Sequence, residues 1–266
     1  MFELPFFSVI VPTHRRAVLL ERALASIKSQ VCPVPVEVVV VSDMADPATD
    51  AVCTRMLGPG DMLIRRNGPP GPSISRNMAL RLVRAQYVMF LDDDDAWSPD
   101  YLAQLLRAPQ VQQGRPVFVN CTVVTERRLP TGPEQVSEQG IDLVGRLTPD
   151  VYVKNQIHMS CFALPHALIQ GLEFDPYMRA YEDWDYLLSV FDREMPTHAP
   201  IAGSRIFEVQ DETSDRRGQS KAALDFNAVL DYLYVYRRHS APSPELRARR
   251  AELMHACGLS IAAELL

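Results

Sequence analysis

Along the first hundred residues, short apolar runs alternate with stretches whose apolar positions recur every three or four residues. The runs are "FFSVIV", "VEVVVVSD", "DMLIRR" and "YVMFL". Between the first two, Arg16 to Gln30 has apolar groups at Val18, Leu19, the Arg22 stem, Ala23 and Ile27, the period of an amphipathic helix. "DPATDAVCTRML" opens with Asp46 as N-cap and Pro47 at the first helical position. "SRNMALRLVRA" follows the turn-rich "NGPPGPS" and reads as a third helix. "VEVVVVSD" is apolar enough to be covered on both faces, as strands of parallel sheets are. This alternation predicts an α/β fold built on a doubly wound, mostly parallel sheet with right-handed crossovers.

The second half is less regular. "RPVFVNCTVVTE", "HMSCFALP" and "RIFEVQ" read as strands. "YEDWDYLLSVFDRE" reads as a helix with acids in its first turn, where the helix dipole favours them. "RRLPTGPEQVSEQGIDLVGRL" is polar, with scattered glycine and proline, and reads as a mobile excursion; "DETSDRRGQSK" reads as a polar loop. Two helices are expected at the end, "AALDFNAVLDYLYVYRRH" and "PELRARRAELMHACGLSIAAELL". The last carries Leu246, Leu253, Cys257, Ile261 and Leu265 on one side, which suits packing on its own domain or a peripheral anchor at a membrane or partner.

Composition narrows the function classes. With 266 residues and 47% hydrophobic content, the chain can bury a large core without disulfide or metal staples. A net charge of −6 gives no basic character to attract nucleic acid. The arginine pairs Arg15-Arg16, Arg65-Arg66, Arg216-Arg217 and Arg237-Arg238 read as solvated surface. Five widely spaced cysteines with no CxxC argue against a disulfide framework or structural zinc and fit a reducing compartment. No signal-peptide pattern and no run of about 20 apolar residues appears, so a cytoplasmic protein is expected, free or at the inner face of a membrane.

The strongest chemical signal is "YVMFLDDDDAWSP". An apolar strand delivers four adjacent aspartates, Asp92 to Asp95, to the edge of the sheet where ligands bind in α/β folds. Their mutual repulsion costs stability unless a cation or hydrogen-bond donors offset it. Ser98-Pro99 already supplies the next helix start, so the acids are not needed as caps. Magnesium or manganese takes carboxylate oxygens and keeps open positions for phosphate, which suggests a metal–diphosphate site.

Four blocks in this order, "SVIVPTHRRAVLLERALASIKSQ", "VEVVVVSD", "GPSISRNMALRLVRAQYVMFLDDDDAWSP" and "YEDWDYLL", resemble the glycosyltransferase family 2 pattern. The resemblance implies a GT-A fold and an inverting, nucleotide-sugar-dependent transferase. A domain over 1–220 would divide into a nucleotide-binding half at 1–100 and an acceptor-binding half at 101–220, with a helical extension at 221–266. Pro12, Thr13, His14 and Arg15 would line the nucleotide, although the family usually has an aromatic where His14 stands. Asp43 would accept hydrogen bonds from the base. Arg76 and Asn77 would meet the diphosphate or sugar hydroxyls. Asp92 would contact ribose or the metal, Asp94 would bind the metal, Asp95 would support the donor sugar, and Asp93 holds the variable, most replaceable position.

On the acceptor side, Asp183 matches the family's catalytic base. It would take the acceptor hydroxyl proton opposite the departing diphosphate. Glu182 would hold the acceptor or a sugar hydroxyl. Trp184 would stack on a sugar ring or belong to the core. His158, with Gln156 and Ser160, precedes the strand leading to the base and would border the acceptor pocket. His239 in "YRRHSAPS" would ligate the metal, with Arg237 or Arg238 near the diphosphate, unless these are solvated helix residues. The implied cofactor is divalent manganese or magnesium. The implied partners are a nucleotide-sugar donor, by resemblance a UDP-sugar, and a glycan, lipid-linked or small-molecule acceptor. A sugar-phosphate nucleotidyltransferase shares such a sheet but carries a glycine-rich loop after strand one, where this chain has "PTHRR". A non-catalytic nucleotide-sugar-binding relative is opposed by the intact acids.

Overall fold

The computed structural model describes residues 4–129, 132–178, 180–210 and 226–266. Strands β1 (Phe7–Thr13), β2 (Val36–Ser42), β3 (Met62–Arg65) and β4 (Tyr87–Phe90) alternate with helices α1 (Ala17–Lys28), α2 (Pro47–Met56) and α3 (Pro72–Leu80). The four strands pair in parallel in the order β3-β2-β1-β4. Then follow β5 (Ala96–Trp97), α4 (Tyr101–Arg107), the short α5 (Pro109–Gln112), β6 (Val117–Leu129), β7 (Gly132–Ile141), β8 (Phe162–Pro165), the short α6 (His166–Ile169), α7 (Glu182–Phe191) and β9 (Thr197–Val209). Two helices close the chain, α8 (Phe226–Arg238) and α9 (Pro244–Ala256).

Beyond β4 the sheet becomes mixed. β8 runs antiparallel to β4 and β6, β9 runs parallel to β6, and β5 adds antiparallel to β9. Gly203 sits where the β6–β9 register shifts. A Cβ there would lie 2.3 Å from Cγ2 of Val119, so only glycine lets the strands approach this closely.

Side-chain alternation in the parallel strands feeds two cores. Phe7, Val9, Val11, Val38 and Val40 point to one face, where α1, α2 and α4 contribute Leu24, Val52 and Leu102. Ile10, Val39, Val41 and Phe90 point to the other, against α3, α7, α8 and α9, represented by Ala79, Leu188, Tyr236 and Met254. The sheet is thus covered on both sides and its parallel strand ends converge on one edge.

Several expectations need correction. The buried stripe of α1 is Leu20, Ala23, Leu24 and Ile27, while Val18 is 67% exposed. The excursion after β6 is an ordered strand: β7 pairs antiparallel with β6 from Cys121–Ile141 out to Leu129–Gly132. Nearly all of β7 is exposed, so no apolar alternation marked it. The last helix stops at Ala256, and Gly258 turns the chain with φ 86°. Leu246 is buried, Leu253, Cys257 and Ile261 pack partly buried against core residues, and Leu265 is exposed, so this segment packs on its own domain. The expected boundary at 220/221, the "DETSDRRGQSK" loop and Arg216-Arg217 lie outside the described residues. Among the described residues no helix is long and apolar enough to cross a membrane.

Candidate active site

The carboxyl ends of β1, β2 and β4 open into a cleft of about 790 Å³. It is lined by Pro12 to Arg16 from the end of β1, Asp43 after β2, Arg76 from α3, Asp92 to Asp95 after β4, and His158, Glu182 and Glu208 from the second half. Backbone strain concentrates at its rim. Arg15, in the loop after β1, has φ 52°, and Tyr181, immediately before α7, has φ 63°. Non-glycine residues in this region persist where surrounding structure holds them, often at functional sites.

The first wall is built around Asp43. Its Oδ1 lies 2.5 Å from Nδ1 of His14, and its Oδ2 accepts from the Gly71 amide at 2.8 Å. Gly71 adopts φ 148°, strained for any residue with a Cβ, and this turns its N–H toward Asp43. Arg66 fixes the same loop. It is buried and donates to Ser75 Oγ at 2.9 Å, Pro69 O at 2.7 Å and Gly71 O at 2.8 Å. One member of a pair read as solvated surface is therefore a structural brace, while Arg65 stays outside with Asp50.

The four aspartates separate by environment. Asp92 accepts from Arg76 Nη2 at 2.7 Å; burial works to raise its pKa, but Arg76, His158 and Arg16 outweigh it and hold it below the ordinary carboxylate value. Asp93 is 4% exposed and accepts from Thr13 Oγ1 at 2.7 Å, the His14 amide at 3.4 Å and Arg16 at 3.2 Å. It latches the loop after β1 to the acid loop, which is more than a replaceable position would do. Asp94 faces Arg16 and Arg128 at 3.2 and 3.3 Å. Asp95 is buried and accepts from the Phe207 amide at 3.0 Å.

Burial, reinforced by the charges of Asp94 and Asp92, pushes the carboxyls of Asp93 and Asp95 up to about 6 and about 7, against the pull of Arg16 on the first and His158 on the second. Burial lowers the pKa of His158, but Asp95, Asp92 and Asp183 prevail and raise it. These three groups hold protons in the folded protein at pH values where the unfolded chain has lost them. The stability they contribute is therefore lost as pH rises through the folded values. The urea midpoint of the metal-free protein should decline between about pH 4 and pH 7 as the two aspartates titrate, with His158 continuing the decline above about pH 6.5. Asp95→Asn should flatten that decline while leaving the low-pH midpoint nearly unchanged. Parallel wild-type and variant curves would contradict the assignment.

Asp92, Asp95 and His158 offer ligand atoms that all lie within 4.8 Å of one another. Two carboxylates and an imidazole at a water-accessible edge fit manganese or magnesium, with positions left for donor oxygens. This trio replaces one expected partner: His158, placed beforehand at the acceptor, faces Asp95 at 3.8 Å and Asp92 at 4.0 Å.

Arg76 joins the two sides of the cleft. It is 3% exposed, reaches Asp92 at 2.7 Å and Glu182 at 3.0 Å, and lies over the Phe174 ring. Burial and the neighbouring Asp183 raise the pKa of Glu182, with Arg76 opposing them. Asp183, partly exposed in the first turn of α7, accepts from the Trp184 amide at 2.7 Å and has no side-chain partner among the described residues. It is not among the residues that line the cleft, but its charge acts on both Arg76 and His158.

Three candidate residues stand elsewhere. Asn77 is buried, clamps Phe174 through two 2.8 Å backbone hydrogen bonds and is not among the residues that line the cleft. Trp184 is fully buried, donates to Val151 O at 2.7 Å and packs among Tyr181, Tyr232 and Tyr236. Of its two readings, the core is the one the structure takes. The spacing Trp184, Leu187, Leu188, Phe191 carries that signal in the sequence. His239 is buried against Asp185 at 3.0 Å, away from the aspartates, and Arg238 shares the same carboxylate at 2.7 Å. Arg16 and Arg66, read beforehand as solvated surface, and Arg22, read only as part of the helix stripe, join Glu126 and Arg128, which were not singled out, because a charge on a strand or helix carries no local signature of its distant partner.

Comparisons with known proteins identify the family and the fold. The profile of Glycosyl transferase family 2 matches residues 8–153. A Campylobacter jejuni relative named GalNAc(5)-diNAcBac-PP-undecaprenol beta-1,3-glucosyltransferase is 25% identical over 234 residues, covering 86% of this chain and 72% of its own. The Rhizobium meliloti succinoglycan biosynthesis protein ExoO is 29% identical over 199 residues, covering 70% and 56% respectively. S. aureus TarS 1-349, solved with UDP-GlcNAc, superposes with a TM-score of 0.62 at 16% identity over 94% of this chain and 72% of that one. The Pyrobaculum calidifontis mannosyltransferase PcManGT, solved with GDP-Man and Mn2+, gives 0.60 at 21% identity over 98% and 74%. The expected GT-A architecture is the one found, and with more than half its length matched, the chain belongs to glycosyl transferase family 2.

Proposed function

We propose that the protein transfers a sugar from a nucleotide-diphosphate sugar, with UDP-sugars the favoured class, to an acceptor hydroxyl, inverting the anomeric centre. The observation that carries this reading is the junction at Arg76. One buried guanidinium ties the acid that would face the donor, Asp92, to the helix that carries the proton acceptor. Asp43, held by His14 and the Gly71 amide, supplies an edge for the base. Asp92, Asp95 and His158 would hold manganese or magnesium, with Asp94 beside them. Such an ion, when bound, offsets charge on the departing diphosphate.

Asp183 is the proton acceptor in this account. Glu182 spends an oxygen on Arg76, whereas Asp183 uses one oxygen on its own helix amide and keeps the other free. As the acceptor oxygen attacks the anomeric carbon, its proton passes to Asp183 and the bond to the diphosphate breaks on the opposite face. Glu182 and Arg76 hold the two faces in register, which removes much of the entropic barrier. The acceptor is a glycan, a lipid-linked sugar or a small molecule, and the undecaprenol-linked substrate in the C. jejuni relative's name favours the second. An acceptor of that class would put the reaction at a membrane surface, in keeping with the inner-face location expected from the sequence.

A panel of UDP-, GDP- and dTDP-sugars with Mn2+ tests the reading through release of nucleoside diphosphate. Metal-dependent release from one donor is expected. Pyrophosphate release from a nucleoside triphosphate and a sugar phosphate would show a nucleotidyltransferase, and donor binding without release would show a binding module.

A further inference from the structure

Two arginines touch the acid loop differently from their neighbours. Arg76 meets Asp92 at 2.7 Å and Arg22 meets Glu126 at 2.6 Å, the separations of well-formed charge-assisted hydrogen bonds. Arg16 instead lies 3.2 Å from both Asp93 and Asp94. Arg128, which arrives on β6, lies 3.3 Å from both Asp94 and Glu126. Each of these guanidinium groups bridges two carboxylates through hydrogen bonds longer than those of Arg76 to Asp92 and Arg22 to Glu126. Their side chains are 37% and 32% exposed, against 4% for Arg76. Both converge on a single atom, Oδ2 of Asp94.

Two cations on one carboxylate oxygen supply the positive charge that a divalent ion beside Asp94 would supply. An ion held by Asp92, Asp95 and His158 next to that oxygen would repel both arginines strongly. Arg128 has a second anchor that stays in place. Glu126 is held by Arg22, whose guanidinium is stacked 3.5 Å from the Phe207 ring centroid. We propose that Arg16 and Arg128 are placeholders for the metal: they neutralise Asp94 in the metal-free protein, and swing onto the phosphate oxygens of the donor when a divalent cation held by Asp92, Asp95 and His158 binds beside Asp94. Guanidinium forks suit phosphate oxygens, and a short rotation about the Glu126 anchor keeps Arg128 within reach. This rests on the metal-assisted nucleotide-sugar reading.

The test is Mn2+ binding to the purified full chain without nucleotide, followed by electron paramagnetic resonance, in wild type, Arg16→Gln and Arg128→Gln. Each variant should bind Mn2+ roughly three- to tenfold more tightly, because a competing cation has been removed. With Mn2+ saturating, UDP or GDP, whichever wild type binds, should bind about tenfold more weakly to the variants. Arg128→Lys should lie between. Unchanged or weaker Mn2+ binding in both glutamine variants, with far-UV circular dichroism preserved, would overturn the proposal, as would unchanged nucleotide affinity. A wild-type protein that binds no Mn2+, with or without nucleotide, would instead remove the metal reading underneath it.

Discussion

Asp183→Asn should lower sugar transfer by about a thousandfold while leaving donor affinity within a factor of two. Asparagine preserves the size of the side chain and its bond to the Trp184 amide, so α7 and its buried face are undisturbed. What it loses is the ability to take a proton from the acceptor hydroxyl. Glu182→Gln separates the neighbouring role. Glutamine can still accept from Arg76, but it no longer balances that charge, and it should weaken transfer by only about tenfold, mainly through positioning. A Glu182→Gln variant as inactive as Asp183→Asn would move the base to Glu182, which lines the cleft directly.

Arg76→Ala should be the most destabilising single change at the cleft, at about 3–5 kcal/mol. It would leave Asp92 and Glu182 close together without their shared cation, and it would empty the space over the Phe174 ring. A domain of this size has a total stability on the order of 5–15 kcal/mol, so the melting temperature should fall by roughly 10 °C. Arg76→Lys keeps the charge but cannot reach both carboxylates with one planar fork, and should recover only part of the loss. A melting temperature within about 2 °C of wild type for Arg76→Ala would show that the two acids are relaxed by protonation or solvent, and that the junction is not a structural element.

The sequence carried the half of the site that sits on strand ends. The run "FLDDDD" announces itself because an apolar strand must stop where charge begins, and the parallel alternation of the first hundred residues says where that stop lies. "SD" after β2 and "PTHRR" after β1 follow from the same rule. What stayed hidden depends on contacts across long sequence separations. Arg128 reaches Asp94 only because β6 runs past the acid loop, and Arg66 braces Gly71 only because the loop folds back over β3. Neither leaves a periodic trace, and an arginine at a strand end looks the same whether solvated or buried.

The β6–β7 hairpin was misread for a related reason. Strands are recognised by alternating burial, and β7 is wet along nearly its whole length, so its polar composition resembles a loop. The ligand readings of Trp184, for which the core was the other reading, and of His239 failed in the opposite direction. Residue types that often bind sugars or metals stood near the matching motif, but helix periodicity places Trp184 with Leu187, Leu188 and Phe191 in the core, and His239 is committed to Asp185. Within a motif-bearing helix, the buried stripe is a better guide than proximity to the motif.

The central claim is that the cleft at the ends of β1, β2 and β4 holds a nucleotide sugar with a divalent cation. A crystal structure with Mn2+ and the donor selected by the release panel tests it most directly. The account predicts the base at Asp43, the diphosphate toward the acid loop, and the cation roughly 2.1 Å from carboxylate oxygens of Asp92 and its neighbours. A nucleotide bound outside this cleft, or a diphosphate held there with saturating Mn2+ present and no cation on the aspartates, would contradict it.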